Sequence, residues 1–68
     1  LQRKEYTEAI AVYEKGLQKQ PADADALYGL GFVYLSRGEK ERARECLRAA
    51  LESRPGFVQA RTLLDQIP

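Results

Sequence analysis

The sequence predicts an all-α fold in which antiparallel helix hairpins stack as a short α-solenoid. The first basis is an internal repeat, because Pro21 and Pro55 lie 34 residues apart and their surroundings correspond at that offset. The matched pairs include Ala9 with Ala43, Tyr13 with Leu47, Leu17 with Leu51, Ala26 with Ala60, and Leu30 with Leu64. The second basis is that apolar residues between the prolines recur at steps of three and four, the period of a helix. A unit of this length cannot bury its apolar face alone, so it stacks on its neighbours.

The first two helices are divided by a proline turn. An apolar stripe predicts a first helix over about residues 5–19. Pro21 ends this helix, because proline disfavours helical angles in the residue before it, and Asp23 can cap the next helix. That second helix, over residues 24–36, has apolar residues on two faces, which predicts that it is covered on both sides.

Two further helices follow. Gly38 provides the left-handed residue that commonly ends a helix, and Glu39 opens the third helix with a charge that suits an N-terminus. Pro55 ends the third helix as Pro21 ends the first. A fourth helix, reaching Pro68, is lined by Ala60, Leu63, Leu64 and Ile67. No segment has the alternation expected of a strand.

The residue types of the second and third helices follow a known spacing. They read Leu27-x2-Leu30-Gly31-x2-Tyr34, then Ala43-x3-Leu47, then Ala50 and Pro55. This spacing resembles the tetratricopeptide repeat, with its pattern W-x2-L-G-x2-Y, A-x3-F and P over about 34 residues. The resemblance implies a right-handed solenoid in three parts. Residues 1–23 resemble the second helix of a preceding repeat, 24–57 one complete repeat, and 58–68 the first helix of a following repeat or a C-terminal capping helix.

The resemblance also assigns packing roles to the residues of this pattern. Gly31 and Ala43 are expected to let the two helices of the complete repeat approach closely, while the large apolar residues fill the space on either side. The fourth helix departs from the pattern, with Arg61 in place of a large apolar residue and Asp65 in place of glycine. A polar outer face suits a terminal cap, so we expect the array to end near Pro68. A degenerate internal repeat is the alternative.

Composition and charge narrow the possible functions. Eleven Lys or Arg against ten Asp or Glu leave a net charge of +1. The net charge of the chain is therefore too small to attract nucleic acid or anionic lipid. The chain has no histidine, one cysteine at Cys46 and no glycine-rich phosphate loop. We therefore predict no catalytic residues, no metal site and no cofactor. Cys46 is expected to be a partly buried apolar residue rather than a reactive thiol.

The sequence also bears on the compartment. It has no apolar run of about 20 residues that would span a bilayer, and no signal-peptide pattern, which predicts a soluble segment without membrane insertion. The single cysteine favours the cytoplasm and leaves the periplasm open. Because the chain opens on Leu1, we expect it to be a piece of a longer protein.

In tetratricopeptide proteins the first helix of each repeat lines a concave groove that receives a partner peptide. By this resemblance the groove candidates are Asp25, Tyr28, Phe32, Leu35 and Ser36 on the second helix and Gln59, Thr62, Leu63 and Gln66 on the fourth. Tyr28 and Phe32 lie on one face and are candidate aromatic anchors, with packing against the first helix or a helix before it as the alternative. Gly29 is expected to be a close-packing residue. The family's clamp of Lys, Asn and Arg for a peptide carboxylate is absent, which favours an amphipathic or aromatic partner over an anionic tail.

The third helix carries a run of basic residues that includes Arg42, Arg44 and Arg48. Acidic residues interleave with them, and helical pairs of Arg48 with Glu45 or with Glu52 are expected. A solvated convex face is the favoured interpretation, and a nucleic-acid surface is the weaker one.

Three functions follow in order of preference. The first is a noncatalytic protein interaction scaffold that binds another protein or peptide on its concave face. The second is self-association into a homo-oligomer or helix-swapped dimer through the first helix, whose stripe has no hairpin partner in the sequence. That stripe consists of Tyr6, Ile10, Tyr13 and Leu17. The third, a nucleic-acid-binding helical repeat, is disfavoured by the near-neutral charge, and we predict no nucleic-acid partner.

Overall fold

A computed structural model describes residues 3–68, with side chains from residue 5 onward, so Leu1 lies outside the described residues. The chain forms four helices in this range: α1 (Arg3–Lys19), α2 (Ala24–Ser36), α3 (Lys40–Ser53) and α4 (Val58–Asp65). Residues 3–68 contain no strand, and the predicted all-α fold is confirmed. The first helix begins two residues earlier than the sequence predicts.

The two residues predicted to bound α2 do so. The Asp23 carboxylate accepts hydrogen bonds from two backbone N–H groups of the first turn, at 3.1 and 3.3 Å, which otherwise have no helical partner. At the other end Gly38 adopts a φ of 83°. The N–H groups of Gly38 and Glu39 then bond back to carbonyls of the last turn, at 3.0 and 2.9 Å. This is a Schellman ending, in which glycine avoids the steric cost of a left-handed residue.

The two proline turns contain equivalent backbone hydrogen bonds. Before α2, the N–H of Asp23 donates to the Gln20 carbonyl at 3.0 Å, and before α4 the N–H of Phe57 donates to the Arg54 carbonyl at 3.0 Å. Pro55 is exposed in the second turn, so it ends α3 rather than filling the core. The internal repeat therefore extends from the side chains to the backbone of the turns.

The fourth helix is shorter than predicted. It ends at Asp65, because Pro68 has no N–H with which to continue the helical ladder. Ile67 follows the helix end and its N–H bonds to the Leu64 carbonyl at 3.1 Å. Its side chain is nevertheless only 8% exposed, so it joins the core from outside the helix.

Each helix packs on the next along the chain, and α2 with α3 forms the most extensive contact. The Cα atoms span 32 × 31 × 16 Å, and the short dimension fits two helix layers at the usual interaxial distance of about 8–10 Å. The buried apolar cluster between the helices consists of Ala24, Leu30, Tyr34, Ala43, Leu47, Ala50, Phe57, Ala60 and Ile67. Of the predicted packing residues, Leu27 is half-buried against this cluster and all but Leu27 and Pro55 are buried.

Two glycines of α2 mark where its neighbours come closest. A Cβ on Gly31 would lie 2.8 Å from Cγ of Leu47 in α3 and 3.4 Å from the carbonyl oxygen of Ala43. A Cβ on Gly29 would lie within 2.8 Å of three ring carbons of Tyr13 in α1. Gly31 and Ala43 thus permit the predicted close approach within the α2–α3 hairpin, and Gly29 permits a close approach to α1.

Candidate binding groove

A shallow groove opens between α2 and α4. It has a volume of about 260 Å³ and is lined by Tyr28 of α2, by Val58, Gln59, Thr62 and Leu63 of α4, and by Gln66, which caps the end of α4. All of these except Val58 are among the groove candidates from the sequence. They come together because residues at steps of three and four project from one face of a helix.

The α2 wall of the groove is apolar. Tyr28 is its lining residue, and Phe32 lies one turn beyond Tyr28 on the same helix face, outside both the described lining and the core cluster, and is 49% exposed. Leu35, one turn further, is half-buried against the core. On the α4 side Val58 is 69% exposed. Phe32 and Val58 therefore expose apolar surface to water, which costs free energy.

The α4 wall of the groove is polar and uncharged. Gln59, Thr62 and Gln66 are exposed along one face of this helix. At the repeat offset of 34 residues, Thr62 and Gln66 occupy the places of Tyr28 and Phe32. Equivalent positions of two helices thus offer aromatic contact on one wall and hydrogen-bonding groups on the other.

A cluster of aromatic and charged groups lies behind Tyr28, the α2 residue of the groove lining. The Phe57 ring lies 5.2 Å from the Tyr28 ring, and the Arg54 guanidinium carbon lies 4.7 Å from the centre of the Phe57 ring. Arg54 also donates two hydrogen bonds to the Asp25 carboxylate, at 3.1 and 3.2 Å. These bonds, together with the charge of Asp25, raise the pKa of Arg54 above its ordinary value. Asp25, a groove candidate, is therefore paired within the chain.

Ser36 lies apart from the other candidates. Its hydroxyl donates to the Phe32 carbonyl of its own helix at 3.0 Å. It lines a second cavity, of about 610 Å³, beside Tyr6, Arg37 and Glu39. The described lining of the groove between α2 and α4 includes neither Ser36 nor the candidates Asp25, Phe32 and Leu35.

The basic residues of α3 are interleaved with acidic partners. The ion pairs join Arg42 to Glu39 at 3.7 Å and Arg44 to Glu41. The expected pairs of Arg48 with Glu45 and with Glu52 are absent from the ion pairs of residues 5–68, and Arg48 lines a hollow beside α4 together with Glu52. Alternating charges that partly neutralise each other are typical of a solvated helix face.

Cys46 is half-buried on α3 with a free thiol, as the sequence predicts. Burial, and to a smaller extent the charge of Glu45, raises the pKa of this thiol. Because the thiolate is the reactive form of cysteine, a raised pKa makes Cys46 a poor nucleophile. The side chain acts as a small apolar residue.

Three residues that shape the groove are not among the sequence-based candidates. Phe57 supports the Tyr28 ring, Arg54 lies over the Phe57 ring, and Val58 is part of the lining. Phe57 occupies the place of Asp23 one period earlier, so an aromatic residue at a capping position was an available signal. Arg54 and Val58 carry no such signal, because their roles depend on side chains of α2 across the groove.

The architecture is that of a helical repeat protein. The chain belongs to the tetratricopeptide repeat family, whose family model matches residues 1–67. It is 46% identical over 46 residues to cellulose synthase operon protein C of Escherichia coli, a match that covers 68% of this chain and 4% of that protein. It is 39% identical over 54 residues to photosystem I assembly protein Ycf3 of a Synechococcus species, and this match covers 75% of this chain and 31% of that protein. No solved structure is significantly similar to the chain.

The chain spans less than a third of the length of either relative. The similarity therefore concerns the repeat itself rather than the complete relatives. Among the helices of residues 3–68, none is both long enough and apolar enough to cross a membrane.

Proposed function

We propose that this chain is a noncatalytic interaction scaffold that binds a peptide segment of another protein in the groove between α2 and α4. The observation that carries the proposal is the apolar surface exposed at this groove. The exposed large apolar residues of the described chain are Val12, Phe32 and Val58; Val58 lines the groove, and Phe32 lies one turn beyond the lining residue Tyr28 on the same face of α2. Covering Phe32 and Val58 would remove apolar area from water, which favours binding.

The repeat architecture supports a binding role. We take residues 24–57 as one complete repeat and the segments 1–23 and 58–68 as parts of neighbouring repeats. Stacked repeats place successive first helices side by side, so their exposed faces form one extended concave surface. The similarity to an assembly protein agrees with a role in holding proteins together.

Selection of random dodecapeptides displayed on phage tests the proposal. Peptides that bind the parent chain should bind Phe32→Ala at least tenfold more weakly, because truncation of an aromatic anchor costs about 2 kcal/mol. Tyr28→Ala should weaken binding as well, and circular dichroism checks that it folds, since Tyr28 also touches the core.

Val12→Ala is the matched control for these variants. Val12 is 68% exposed, and it lies on α1 rather than on a groove helix. Its truncation should leave the affinity of the selected peptides unchanged. Peptides that bind Phe32→Ala and Val12→Ala with equal affinity would show that binding occurs elsewhere.

Self-association through α1 is a second candidate, which the partial burial of this helix favours. Ala9, Ile10, Tyr13 and Leu17 are all half-buried, so an apolar strip of α1 meets solvent. A second copy could cover this strip through a self-complementary contact. Sedimentation over a concentration series tests this candidate. A dimer that Ala9→Glu disrupts supports it, and a monomer at every concentration contradicts it.

A further inference from the structure

The two walls of the groove differ in chemistry, and this difference points to one kind of occupant. The α2 wall presents Tyr28, with the exposed Phe32 one turn further along the same helix face, and the α4 wall presents Gln59, Thr62 and Gln66. We propose that the occupant is an uncharged, proline-rich segment in the polyproline II conformation. The proposal rests on the peptide-binding function above and specifies the chemistry of the partner.

The charges around the groove favour an uncharged segment. No charged side chain is present in the described lining of the groove. In the cluster behind the Tyr28 ring, the Arg54 and Asp25 side chains bond to each other at 3.1 and 3.2 Å, so each already has its counter-charge. A charged partner residue would lose water here without gaining an opposite charge, which costs free energy. Electrostatic complementarity therefore selects a neutral partner.

The spacing of the glutamines on α4 fits a polyproline II chain. Gln59 and Gln66 are seven residues apart, and Gln66 keeps helical angles (φ −79°, ψ −14°), so they lie about 10 Å apart along the helix. A polyproline II chain returns to the same side every three residues, about 9.3 Å. A β-strand returns to the same side every two residues, about 6.7 Å, and matches this spacing less well.

The hydrogen-bonding groups of α4 also suit this conformation. A polyproline II chain has no internal hydrogen bonds, so its carbonyls are free acceptors. The amides of Gln59 and Gln66 and the hydroxyl of Thr62 can all donate. Proline has no N–H, so a proline-rich segment requires donors and few acceptors from the groove. A bound α-helix, in contrast, has already used its carbonyls within itself.

The aromatic residues of α2 provide the surface on which proline rings pack. Aromatic-lined grooves are a recurring receptor for proline-rich segments. Phe32 is 49% exposed and available, and the Tyr28 ring is supported by the Phe57 ring at 5.2 Å. A ring that is already held in place loses little conformational entropy when a partner binds.

An NMR titration of the isotope-labelled chain with blocked decaproline tests the proposal. We expect saturable shifts confined to the groove residues of α2 and α4. The double variant Gln59→Leu/Gln66→Leu should bind decaproline about tenfold more weakly, because two hydrogen bonds are lost. The matched control is Gln18→Leu/Gln20→Leu, which changes two exposed glutamines outside the groove and should bind like the parent.

Other outcomes separate this inference from the function on which it rests. If the double variant Gln59→Leu/Gln66→Leu binds decaproline as tightly as the parent chain, the assignment of the α4 wall is overturned. Binding of a blocked, stapled amphipathic helix that depends on Phe32, with no binding of decaproline, would overturn the polyproline II inference and leave the scaffold function standing. Failure of decaproline, the stapled helix and every phage-selected peptide to bind in a Phe32-dependent manner would contradict both.

Discussion

Helices α1 and α3 correspond at the offset of 34 residues, yet only α3 is enclosed. Ala43, Leu47 and Ala50 of α3 have no exposed surface, whereas their counterparts Ala9, Tyr13 and Gly16 on α1 are half-buried. The helix α3 packs between α2 and α4, and α1 makes its main contact with α2 alone. Residue types match at these positions, so the difference in burial comes from the neighbouring helices rather than from the helix sequence.

The same contrast is visible on α2, which carries one glycine for each neighbour. Gly31 receives Leu47, a side chain with no exposed surface and therefore no room to move. Gly29 receives the ring of Tyr13, which is half-buried and can turn toward solvent. The α2–α3 contact is therefore a closed core, and the α1–α2 contact is one that solvent can still reach.

The largest effect is expected when the closed contact is overfilled. Gly31→Leu forces a branched side chain into the space of Leu47 and should cost about 3 kcal/mol, out of about 3–5 kcal/mol for a domain of this size. Thermal unfolding followed by circular dichroism should show that the cooperative transition is lost.

Gly16→Leu is the control for this substitution, because no heavy atom outside its own helix lies within 4 Å of the Cβ position at Gly16. We expect this variant to keep a cooperative transition near that of the parent. An unchanged melting temperature for Gly31→Leu would contradict the register of the α2–α3 hairpin.

Truncation of the corresponding large residues Leu47 and Tyr13 is expected to lower the free energy of unfolding by different amounts. Leu47→Ala leaves a sealed cavity and should lower the free energy of unfolding by about 3 kcal/mol. Tyr13→Ala removes a half-buried ring next to solvent and should lower it by about 1 kcal/mol. Urea denaturation measures both. Equal losses would mean that α1 is as enclosed as α3.

The smallest expected effect is a difference in alkylation rate between cysteines at two equivalent positions. These positions are Val12 on α1 and Cys46 on α3. Burial and the nearby Glu45 raise the pKa of the Cys46 thiol, so less thiolate is present at a given pH. We expect iodoacetamide to alkylate Cys46 several-fold more slowly than the single cysteine of Cys46→Ser/Val12→Cys, since Val12 is 68% exposed.

The pH dependence of this alkylation follows from the direction of the pKa shift. The ratio of the two rates should be largest at pH values below the ordinary pKa of a thiol and should narrow at higher pH, where both thiols are ionised. Concentrated urea should abolish the difference between the rates, because both cysteines are then exposed. A difference that persists in urea would point to a cause other than burial of Cys46.

Much of the fold could be predicted because its signals act within one turn of the chain. The Asp23 cap and the left-handed Gly38 lie where the sequence places them, and both depend on residues a few positions away. The predicted end of α4 was wrong, because the apolar period continues to Ile67 although the helix ends at Asp65. Periodicity reports which residues are buried, and a residue can be buried from a turn as well as from a helix.

The groove could be predicted less completely, because its form depends on contacts between distant residues. Tyr28 lies on the expected face, yet its ring is supported by Phe57, which the repeat pattern does not include. Asp25 is also on that helix, but its carboxylate accepts hydrogen bonds from Arg54 in the turn between α3 and α4. Whether these positions bind a partner stays a prediction that the variants above test.

The sequence by itself determined the four helices, their turns and the register of the repeat, since caps, proline, glycine and a 34-residue period are all local or linear signals. Only the tertiary structure decided that Gly29 seats Tyr13, that Arg54 pairs with Asp25, and which face of α2 remains open as a groove wall. The physical reason is that burial and pairing depend on how helices are placed against each other. Equivalent residues on α1 and α3 therefore reach different environments.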